Sequence, residues 1–337
     1  VNGISSKDRE IARHELENVP QEDLTSWIAE HRRWWHDYYP ASFISIPDTQ
    51  LESFYWIQMY KLASATRKDL LPIDNQGPWM TSTPWPGLWF NMNVQMSYSP
   101  VYTANRLELG QSLISSLRQH QEQLIRNVDE SFRSDSAGLG RSSSYDLNSP
   151  VEDEVGNLTW IMHNCWRQYR YSMDEGLLRD FVYPLLRRSI CLYMHLLEEG
   201  PDGRLHLPPT VSPEYGSFKQ LKTPDAHYDL SLLRWGCETL LYAAKRMGIE
   251  DPLQARWADI LARLTPLPVD HTGYKIGRDL SLEFGHRHFS HLLALFPLHI
   301  TGNSEEERQL AIRSLRHWIA KEGDLRGFSF TGAASIA

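Results

Sequence analysis

The sequence predicts an all-α fold in which helices pair as inner and outer layers of a toroid. Apolar residues recur at helical spacing along nearly the whole chain, and no segment shows the strict alternation of a half-buried strand. Long loops rich in Pro, Gly, Ser and Asp separate the helical segments. Roughly nine or more helices of about 12–25 residues, alternating with such loops, are typical of a helical toroid.

The helix signals are clearest in the second half of the chain. Residues 228–247 place Leu230, Leu233 and Cys237 on one face and end before Gly248, a residue type that commonly terminates helices. Residues 305–320 begin with a run of three glutamates, which is favourable beside the positive end of a helix dipole. The same spacing marks these further segments: 21–37, 48–66, 102–129, 155–172, 174–197, 252–264 and 287–296. The last residues, 327–337, have the pattern of a helix that has just begun.

Four long loops are the distinctive part of the chain: 69–90, 130–154, 200–227 and 265–286. Long ordered loops on a rigid scaffold usually carry function. Within the second loop, residues 131–149 are rich in Ser and Gly, and this composition predicts a flexible segment.

Composition excludes several classes of partner. The 337 residues are 41% hydrophobic and 23% charged, which is ordinary for a globular protein. The net charge of −8 disfavours nucleic acid and anionic membranes as partners. No stretch approaches the roughly 18 apolar residues of a membrane span, so no membrane insertion is expected. The three widely spaced cysteines predict neither a disulfide framework nor a cysteine metal site.

The pair Asn91 and Asn93 is the strongest local signal of a binding site. Two side chains at this spacing point the same way if the backbone is extended. Each amide offers a carbonyl acceptor and two N–H donors, which can orient a sugar hydroxyl or an attacking water. Trp79, Trp85 and Trp89 stand nearby, and flat apolar faces suit a carbohydrate ring. The alternative is a loop whose amides bond their own backbone.

Several motifs occur together in one order, and they resemble the catalytic domain of glycoside hydrolase family 95. They are Leu71-Pro72 with Gly77-Pro78-Trp79, Asn91-Met92-Asn93-Val94-Gln95, Asn105-Arg106-Leu107-Glu108, Tyr169-Arg170-Tyr171, Ser212-Pro213-Glu214 and His286-Arg287-His288-Phe289-Ser290-His291. Members of that family are α-L-fucosidases and α-L-galactosidases. The resemblance implies an (α/α)6 barrel over residues 27–337, with residues 1–26 as a linker or entry helix. It also implies a barrel truncated at both ends and a β-sandwich domain in the full-length chain.

The resemblance assigns roles to particular residues. The family inverts the anomeric centre and uses no metal or other cofactor. Its paired asparagines activate the attacking water with help from an aspartate, which carries over to Asn91 and Asn93 and places the aspartate beyond Ala337. Arg287 and His288 would contact the sugar. Apart from the resemblance, we expect Trp89 and Trp160 to line the same pocket, where the long loops converge.

Two departures from the family pattern affect these roles. Trp89 stands where the family has a histidine. The family's general acid is the glutamate of a Trp-Glu-His-Tyr motif, and the matching residues here are Trp166-Arg167-Gln168-Tyr169. Arginine cannot donate a proton at working pH. Another carboxyl group must therefore act, or the site no longer cleaves.

Two glutamates are the candidate replacements. Glu154 closes an acidic run just before a predicted helix and is the first choice for the acid, although such a run also stabilises a helix start. Glu214 is the second candidate and could instead bond backbone or ligand hydroxyls. The histidines at 286, 288 and 291 favour hydrogen bonding or core packing over a metal site, because no carboxylate ligand has clear spacing.

The predicted function is an exo-acting glycoside hydrolase that removes a terminal α-linked sugar, similar to L-fucose or L-galactose, with inversion. Its partners would be oligosaccharides or polysaccharides of plant or host glycans. The alternatives are a catalytically impaired carbohydrate-binding pseudoenzyme with the same barrel, and a scaffold domain whose aromatic residues form a core. An extracellular or periplasmic location follows from the substrate class.

Overall fold

The computed structural model describes residues 6–18, 24–79, 82–216, 221–302 and 304–337, and over these residues the chain is mainly helical. The all-α prediction is confirmed. The α-helices, in chain order, are α1 (Ser6–Glu17), α2 (Leu24–Tyr38), α3 (Thr49–Ala65), α4 (Asn93–Thr103), α5 (Leu107–Gln119), α6 (Gln121–Arg126), α7 (Asn157–Ser172), α8 (Glu175–Leu177), α9 (Tyr183–Leu196), α10 (His227–Met247), α11 (Gln254–Arg263), α12 (Glu305–Ile319) and α13 (Gly327–Ile336). Helices α8 and α9 are joined by a π-helical turn, Leu178–Val182.

The strands of the described residues are all two residues long and lie in the loops. They form four antiparallel pairs: β1 (Leu88–Trp89) with β2 (Ser142–Ser143), β3 (Glu198–Glu199) with β4 (Leu205–His206), β5 (Thr210–Val211) with β6 (Lys222–Thr223), and β7 (Val269–Asp270) with β8 (Gly273–Tyr274). No central sheet forms among the described residues, as the absence of alternating patterns predicts.

Burial separates inner helices from outer ones. In α7 and α10 most residues are buried on every side, including Ile161, Cys165 and Leu233. Helix α11 buries only Trp257 and Ile260, so most of its surface faces solvent. A helix that is apolar on all faces belongs to an interior layer, whereas one apolar stripe marks an outer helix. This is the two-layer arrangement of a helical toroid.

Gly236 allows two of these helices to approach closely. A Cβ atom at this position of α10 would lie 2.2 Å from Cδ1 of Ile190 in α9. Any larger residue would therefore push α9 and α10 apart in a core that is packed almost without voids.

Two helix predictions differ from the structure. The segment 102–129 is divided among the end of α4, α5 and α6, and Asn105 adopts a left-handed conformation with φ of 54° at the first break. The segment 287–296 forms only the short 3-10 turn Ser290–Leu292. The carbonyl groups that would start a helix there accept other donors: Trp318 Nε1 bonds His286 O at 2.7 Å and Ser329 Oγ bonds Arg287 O at 2.6 Å.

The flexible segment predicted at 131–149 is instead part of the core. Ala137, Leu139 and Leu147 are at most 1% exposed. The side chain of Asn127 holds this segment by donating to Gly138 O and Leu147 O and by accepting from Ser149 N. Tertiary contacts thus order a sequence whose composition alone predicts flexibility.

At the ends of the chain, the expected boundary at 26/27 falls within helix α2. No helix in the described part of the chain is long and apolar enough to cross a membrane.

Candidate functional site

The four long loops meet one another at one end of the inner helices. The pairing of β1 with β2 joins the first loop to the second. Val211 N donates to Asp153 O at 2.9 Å and joins the second loop to the third. Tyr215 OH donates to Ser281 O at 3.0 Å and joins the third loop to the fourth. Hydrogen bonds of this kind fix loop geometry, so side chains on different loops are held in register.

The loops deliver polar side chains to the amino-terminal ends of two inner helices. Asn91 stands just before α4, which begins at Asn93, and Glu154 stands just before α7, which begins at Asn157. The amino-terminal end of a helix carries a partial positive charge, so carboxylates are stabilised there.

Asn91 lies at the centre of a buried hydrogen-bond network. Its side chain is 0% exposed, and Nδ2 donates to Glu154 Oε2 at 3.3 Å and to Glu214 Oε1 at 3.2 Å. The carbonyl Oδ1 has no hydrogen-bond partner among the described residues. Buried polar atoms are normally satisfied, so this oxygen is placed to accept from a water or a ligand hydroxyl.

Besides Asn91, the carboxylate of Glu214 contacts two further side chains, Arg287 and His288. Its Oε2 accepts from Arg287 and lies 3.3 Å from His288 Nε2. Burial alone would raise the pKa of Glu214, but His288, Arg287 and Asn91 together lower it to about 2. The residue also adopts a left-handed backbone with φ of 56°. Such strained conformations in non-glycine residues concentrate at functional sites.

Glu154 is the second carboxylate of the network and is 4% exposed. Its Oε1 forms an ion pair with Arg141 Nη2 at 2.7 Å and accepts from the backbone N–H of Glu214 at 3.3 Å. Together with Asn91, three donors surround this side chain. The arrangement is suited to a carboxylate, which accepts hydrogen bonds only.

The strand pair β1–β2 brings Arg141 beside Asn91. Phe90 N donates to Arg141 O at 2.8 Å, directly beyond the paired strands. Gly87 makes this approach possible, because it has φ of 81° and a Cβ there would lie 2.6 Å from Ser143 O. Only glycine combines this backbone conformation with so close a neighbour.

The structure brings together five of the eight residues expected at the site: Asn91, Glu154, Glu214, Arg287 and His288. Asn93 is partly buried at the start of α4, and its side chain has no hydrogen bond within the described residues.

The two expected tryptophans lie outside this network. Trp89 is partly buried, and its Nε1 donates to Pro86 O at 3.1 Å. Trp160 is 2% exposed and packs edge-on against Tyr228. In this structure the Trp160 ring, in the first turn of α7, is packed in the core.

Arg141 is the network residue that sequence reasoning missed. It lies within the Ser/Gly-rich segment predicted to be flexible, where composition hides the tertiary pairing with Glu154. Arg133 is the other basic residue of this segment, so a basic side chain alone does not single out Arg141.

The three histidines of the His-Arg-His motif region have different surroundings. The rings of His286 and His288 stack with centroids 5.5 Å apart, and His291 packs edge-on against Trp318. Burial, with the neighbouring His288, His291 and Arg287, lowers the pKa of His286 well below its usual value. Among the described residues no group of His, Cys, Asp or Glu side chains could hold a metal ion.

Comparison with known proteins identifies the family of this chain. The model of the Glycosyl hydrolase family 95 catalytic domain matches residues 41–329. The chain belongs to glycosyl hydrolase family 95. This confirms the resemblance seen in the motifs.

Two curated relatives and one solved structure are similar to this family 95 chain. Alpha-L-fucosidase 2 of Arabidopsis thaliana is 26% identical over 313 residues, which are 82% of this chain and 35% of that protein. "Probable alpha-fucosidase A" of Aspergillus niger is 26% identical over 172 residues, 47% of this chain and 22% of that protein. The chain thus spans about a third or less of the length of these relatives.

A structure assigned as a kojibiose phosphorylase, from the human microbiome, has a TM-score of 0.59 at 12% identity. It covers 82% of this chain, which covers 39% of that one. At this identity the likeness concerns the fold, and it supports the helical toroid.

Arg167, which replaces the expected acid of family 95, lies apart from the Asn91 network. Its Nη1 donates to Ser99 Oγ at 3.0 Å, and its guanidinium lies 4.8 Å from the ring centroid of Tyr102. None of its contacts within the described residues is with Asn91, Glu154 or Glu214.

Proposed function

We propose that this family 95 domain serves an exo-acting glycoside hydrolase that removes a terminal α-linked L-fucose or similar sugar with inversion. The observation that carries the proposal is Asn91, whose two N–H groups are held by Glu154 and Glu214 while its buried carbonyl oxygen has no partner. The names of the two curated relatives support the choice of sugar. An extracellular or periplasmic location and an additional β-sandwich domain belong to the same proposal.

In this proposal Asn91 orients the attacking water. A water that donates to Oδ1 is fixed in direction, because both N–H groups of the amide are already engaged and the side chain cannot rotate freely. Asn93, which begins α4 two residues later, would bind the same water from its partly exposed side chain. Positioning of this kind lowers the barrier by holding the reactants in a reactive geometry.

Glu214, Arg287 and His288 would bind the sugar hydroxyls. Glu214 is ionised at neutral pH, since its pKa is about 2, and an ionised carboxylate accepts hydrogen bonds from hydroxyl groups. Arg287 is half exposed and can donate to the sugar while it still contacts Glu214. Trp89 could contribute an apolar face beside them.

Glu154 is the candidate general acid, and its surroundings set a condition for that role. An inverting glycosidase needs one carboxyl group that carries a proton toward the leaving oxygen. In the structure, Oε1 of Glu154 is instead held by Arg141 Nη2 at 2.7 Å. Glu154 can act as an acid only if substrate binding separates it from Arg141.

The test compares the protein with two asparagine variants on an aryl α-L-fucoside and a fucosylated oligosaccharide. We expect the first-formed sugar to be the β-anomer, read by proton nuclear magnetic resonance before mutarotation. Asn91→Ala should lower turnover by roughly 10²-fold or more, the usual cost of losing an oriented polar group. Asn148→Ala, at an exposed asparagine, should leave turnover unchanged. Retention of configuration, or an unaffected Asn91→Ala enzyme, would reject the proposal.

The second candidate is a carbohydrate-binding pseudoenzyme. Two observations favour it: Arg167 replaces the expected acid, and each carboxylate of the network already has a cationic partner. Calorimetric titration with L-fucose separates the candidates. Saturable binding that is lost in Asn91→Ala, with no hydrolysis across a broad panel of glycosides, would establish the binding function in place of the enzyme.

A further inference from the structure

A cleft with a volume of about 300 Å³ lies beside the second half of helix α7. Four basic side chains line it, Arg167, Arg170, His163 and His299, together with Trp166 and Trp235. We call it the cationic cleft. Arg167 lies ten residues beyond Asn157, so at 1.5 Å per residue it is about 15 Å along α7 from the end that carries Glu154. The cationic cleft is therefore separate from the Asn91 network.

Within the described part of the chain, no carboxylate neutralises the charge of the cationic cleft. No aspartate or glutamate occurs among its lining residues, and neither Arg167 nor Arg170 forms an ion pair with a described carboxylate. This is unusual in a chain with a net charge of −8, where acidic partners are abundant. Two unpaired guanidinium groups on one wall attract an anion.

Aromatic rings hold both guanidinium groups in place. Arg167 lies 4.8 Å from the centroid of Tyr102, and Arg170 lies 5.7 Å from that of Trp166. A guanidinium over a ring face is attracted by the π-electrons and keeps its N–H edges available for a ligand. Arg167 uses one donor on Ser99 Oγ, and Arg170 donates to no described atom.

A buried imidazole whose nitrogens have no hydrogen bond among the described residues gives independent evidence of a ligand. His163 is only 6% exposed, yet neither ring nitrogen has a hydrogen bond within the described residues. Burial, with Arg167 and His299 nearby, lowers the pKa of His163 to about 3. The ring is therefore neutral at neutral pH and offers one donor and one acceptor to a ligand. The positive charge comes from the two arginines.

The remaining walls are apolar and flat. Trp166 and Trp235 are 8% and 5% exposed, so each presents a limited ring surface to the cleft. The turn formed by residues 296–298 also lines the cleft. A cavity of this volume is at the lower end of the range for small-molecule sites and admits one ring with a short substituent.

We propose that the cationic cleft binds a small ring-bearing organic anion, with its acid group on Arg167 and Arg170 and its ring against Trp166 and Trp235. A sugar acid and an aromatic carboxylate share this chemistry. The site is independent of the proposed hydrolase activity, so one can fail while the other stands.

Tryptophan fluorescence can report binding, because two of the lining residues are tryptophans. The probes are D-glucuronate and benzoate, each paired with a neutral counterpart, D-glucose and benzyl alcohol. We expect saturable quenching by at least one anion, weaker at high salt because ions screen exposed charges. The neutral counterparts should not saturate. Which anion binds more tightly distinguishes the sugar acid from the aromatic acid.

Three variants locate the binding. Arg167→Gln and Arg170→Gln should each weaken the anion by roughly tenfold or more, the usual value of a charge-assisted hydrogen bond. Arg316→Gln is the matched control, since Arg316 is also exposed in the last turn of its helix. Arg170 is exposed, so its variant tests the site even if Arg167→Gln proves unstable.

Four outcomes would overturn the proposal. They are the absence of saturable binding by either anion up to tens of millimolar, equal binding of the neutral counterparts, unchanged affinity in a folded Arg170→Gln protein, and inorganic sulfate binding as tightly as both ring-bearing anions. The last would show that the ring contributes nothing.

Discussion

Asn91 and Glu214 are joined by a hydrogen bond of 3.2 Å although 123 residues separate them in the sequence. The bond joins Asn91, which directly follows the first long loop, to the third long loop. It orients the Asn91 amide, whose Oδ1 has no partner among the described residues. Asn91 also bonds Glu154, and Glu214 also contacts Arg287 and His288. Each of these side-chain pairs can be tested separately.

The Arg141–Glu154 pair should show strong coupling. Arg141→Gln leaves a nearly buried carboxylate without its cation and should lower the free energy of unfolding by about 2 kcal/mol or more. Glu154→Gln in the same protein should recover part of that loss. Urea unfolding of both single variants and the double variant gives the interaction energy.

The chain offers a matched control for this cycle. Lys222 and Asp153 are also 2.7 Å apart, but they are about half exposed, and Asp153 is the neighbour of Glu154. Exposed pairs contribute about 0–1 kcal/mol. Equal coupling energies for the two pairs would contradict the role given to burial.

The pH dependence of stability should report Glu214. Its pKa falls from 4.5 to about 2 on folding because His288, Arg287 and Asn91 outweigh burial. The resulting stabilisation is fully present above about pH 4.5 and is lost as the pH falls toward about 2. Urea unfolding of wild type and Glu214→Gln should therefore converge across that window. Glu283→Gln, at an exposed glutamate, is the control; a constant wild-type to Glu214→Gln difference would refute the pairing.

His291 should make the protein sensitive to mild acid. Burial, with a smaller contribution from His317, lowers the pKa of His291 from 6.5 to about 3, and neither ring nitrogen has a partner in the described structure. Between these values the unfolded chain binds a proton that the folded chain does not, so stability decreases as the pH falls below about 6.5. The slope is about 1.4 kcal/mol per pH unit for one such group.

The variant His291→Leu should flatten this acid limb. Its stability relative to wild type should rise steadily from pH 6.5 down to pH 4, measured by urea unfolding at fixed ionic strength. A measurement at pH 7.5, where the ring is neutral in both states, isolates the packing change. Parallel stability curves for the two proteins would show that His291 does not titrate as described.

A pair of glycine variants can test the contact between β1 and β2. Gly87 and Gly203 both have positive φ, of 81° and 74°, but a Cβ at Gly87 would lie 2.6 Å from Ser143 O, whereas one at Gly203 meets nothing within 4 Å. Gly203→Ala should cost about 1 kcal/mol for the backbone strain alone. Gly87→Ala should cost roughly 1–3 kcal/mol more because the strands must separate. It should also weaken L-fucose binding, and equal costs would argue against the close contact.

Local periodicity predicted most helices well, because the apolar stripe of an amphipathic helix recurs every three to four residues within one short segment. The ends of α3, α7 and α10 lie within two residues of their predicted positions. The failures came from interactions that are distant in sequence. Residues 287–296 are not helical because Trp318 and Ser329 take the carbonyl groups a helix would need.

The same limit applies to the site. The motifs indicated Asn91, Arg287 and His288, and the acidic residues themselves indicated Glu154 and Glu214. Nothing local showed that Arg141 neutralises Glu154, because the segment around it carries no periodic signal. Trp160 was expected in the pocket on its aromatic character, and in the structure its ring packs against Tyr228 in the core.

The different sequence distances within the Asn91 network imply an order of assembly as the chain leaves the ribosome. Arg141 and Glu154 are close in sequence and can pair early, so that carboxylate need not wait for the rest of the domain. Glu214 meets Arg287 only after another 73 residues have been made. Until then its carboxylate, on a strained turn, lacks the cation that holds it. In a nascent chain stalled before Arg287, Glu214 of the third loop should therefore lack its cationic partner. The Asn91 network becomes complete only when Arg287 and His288 have been made.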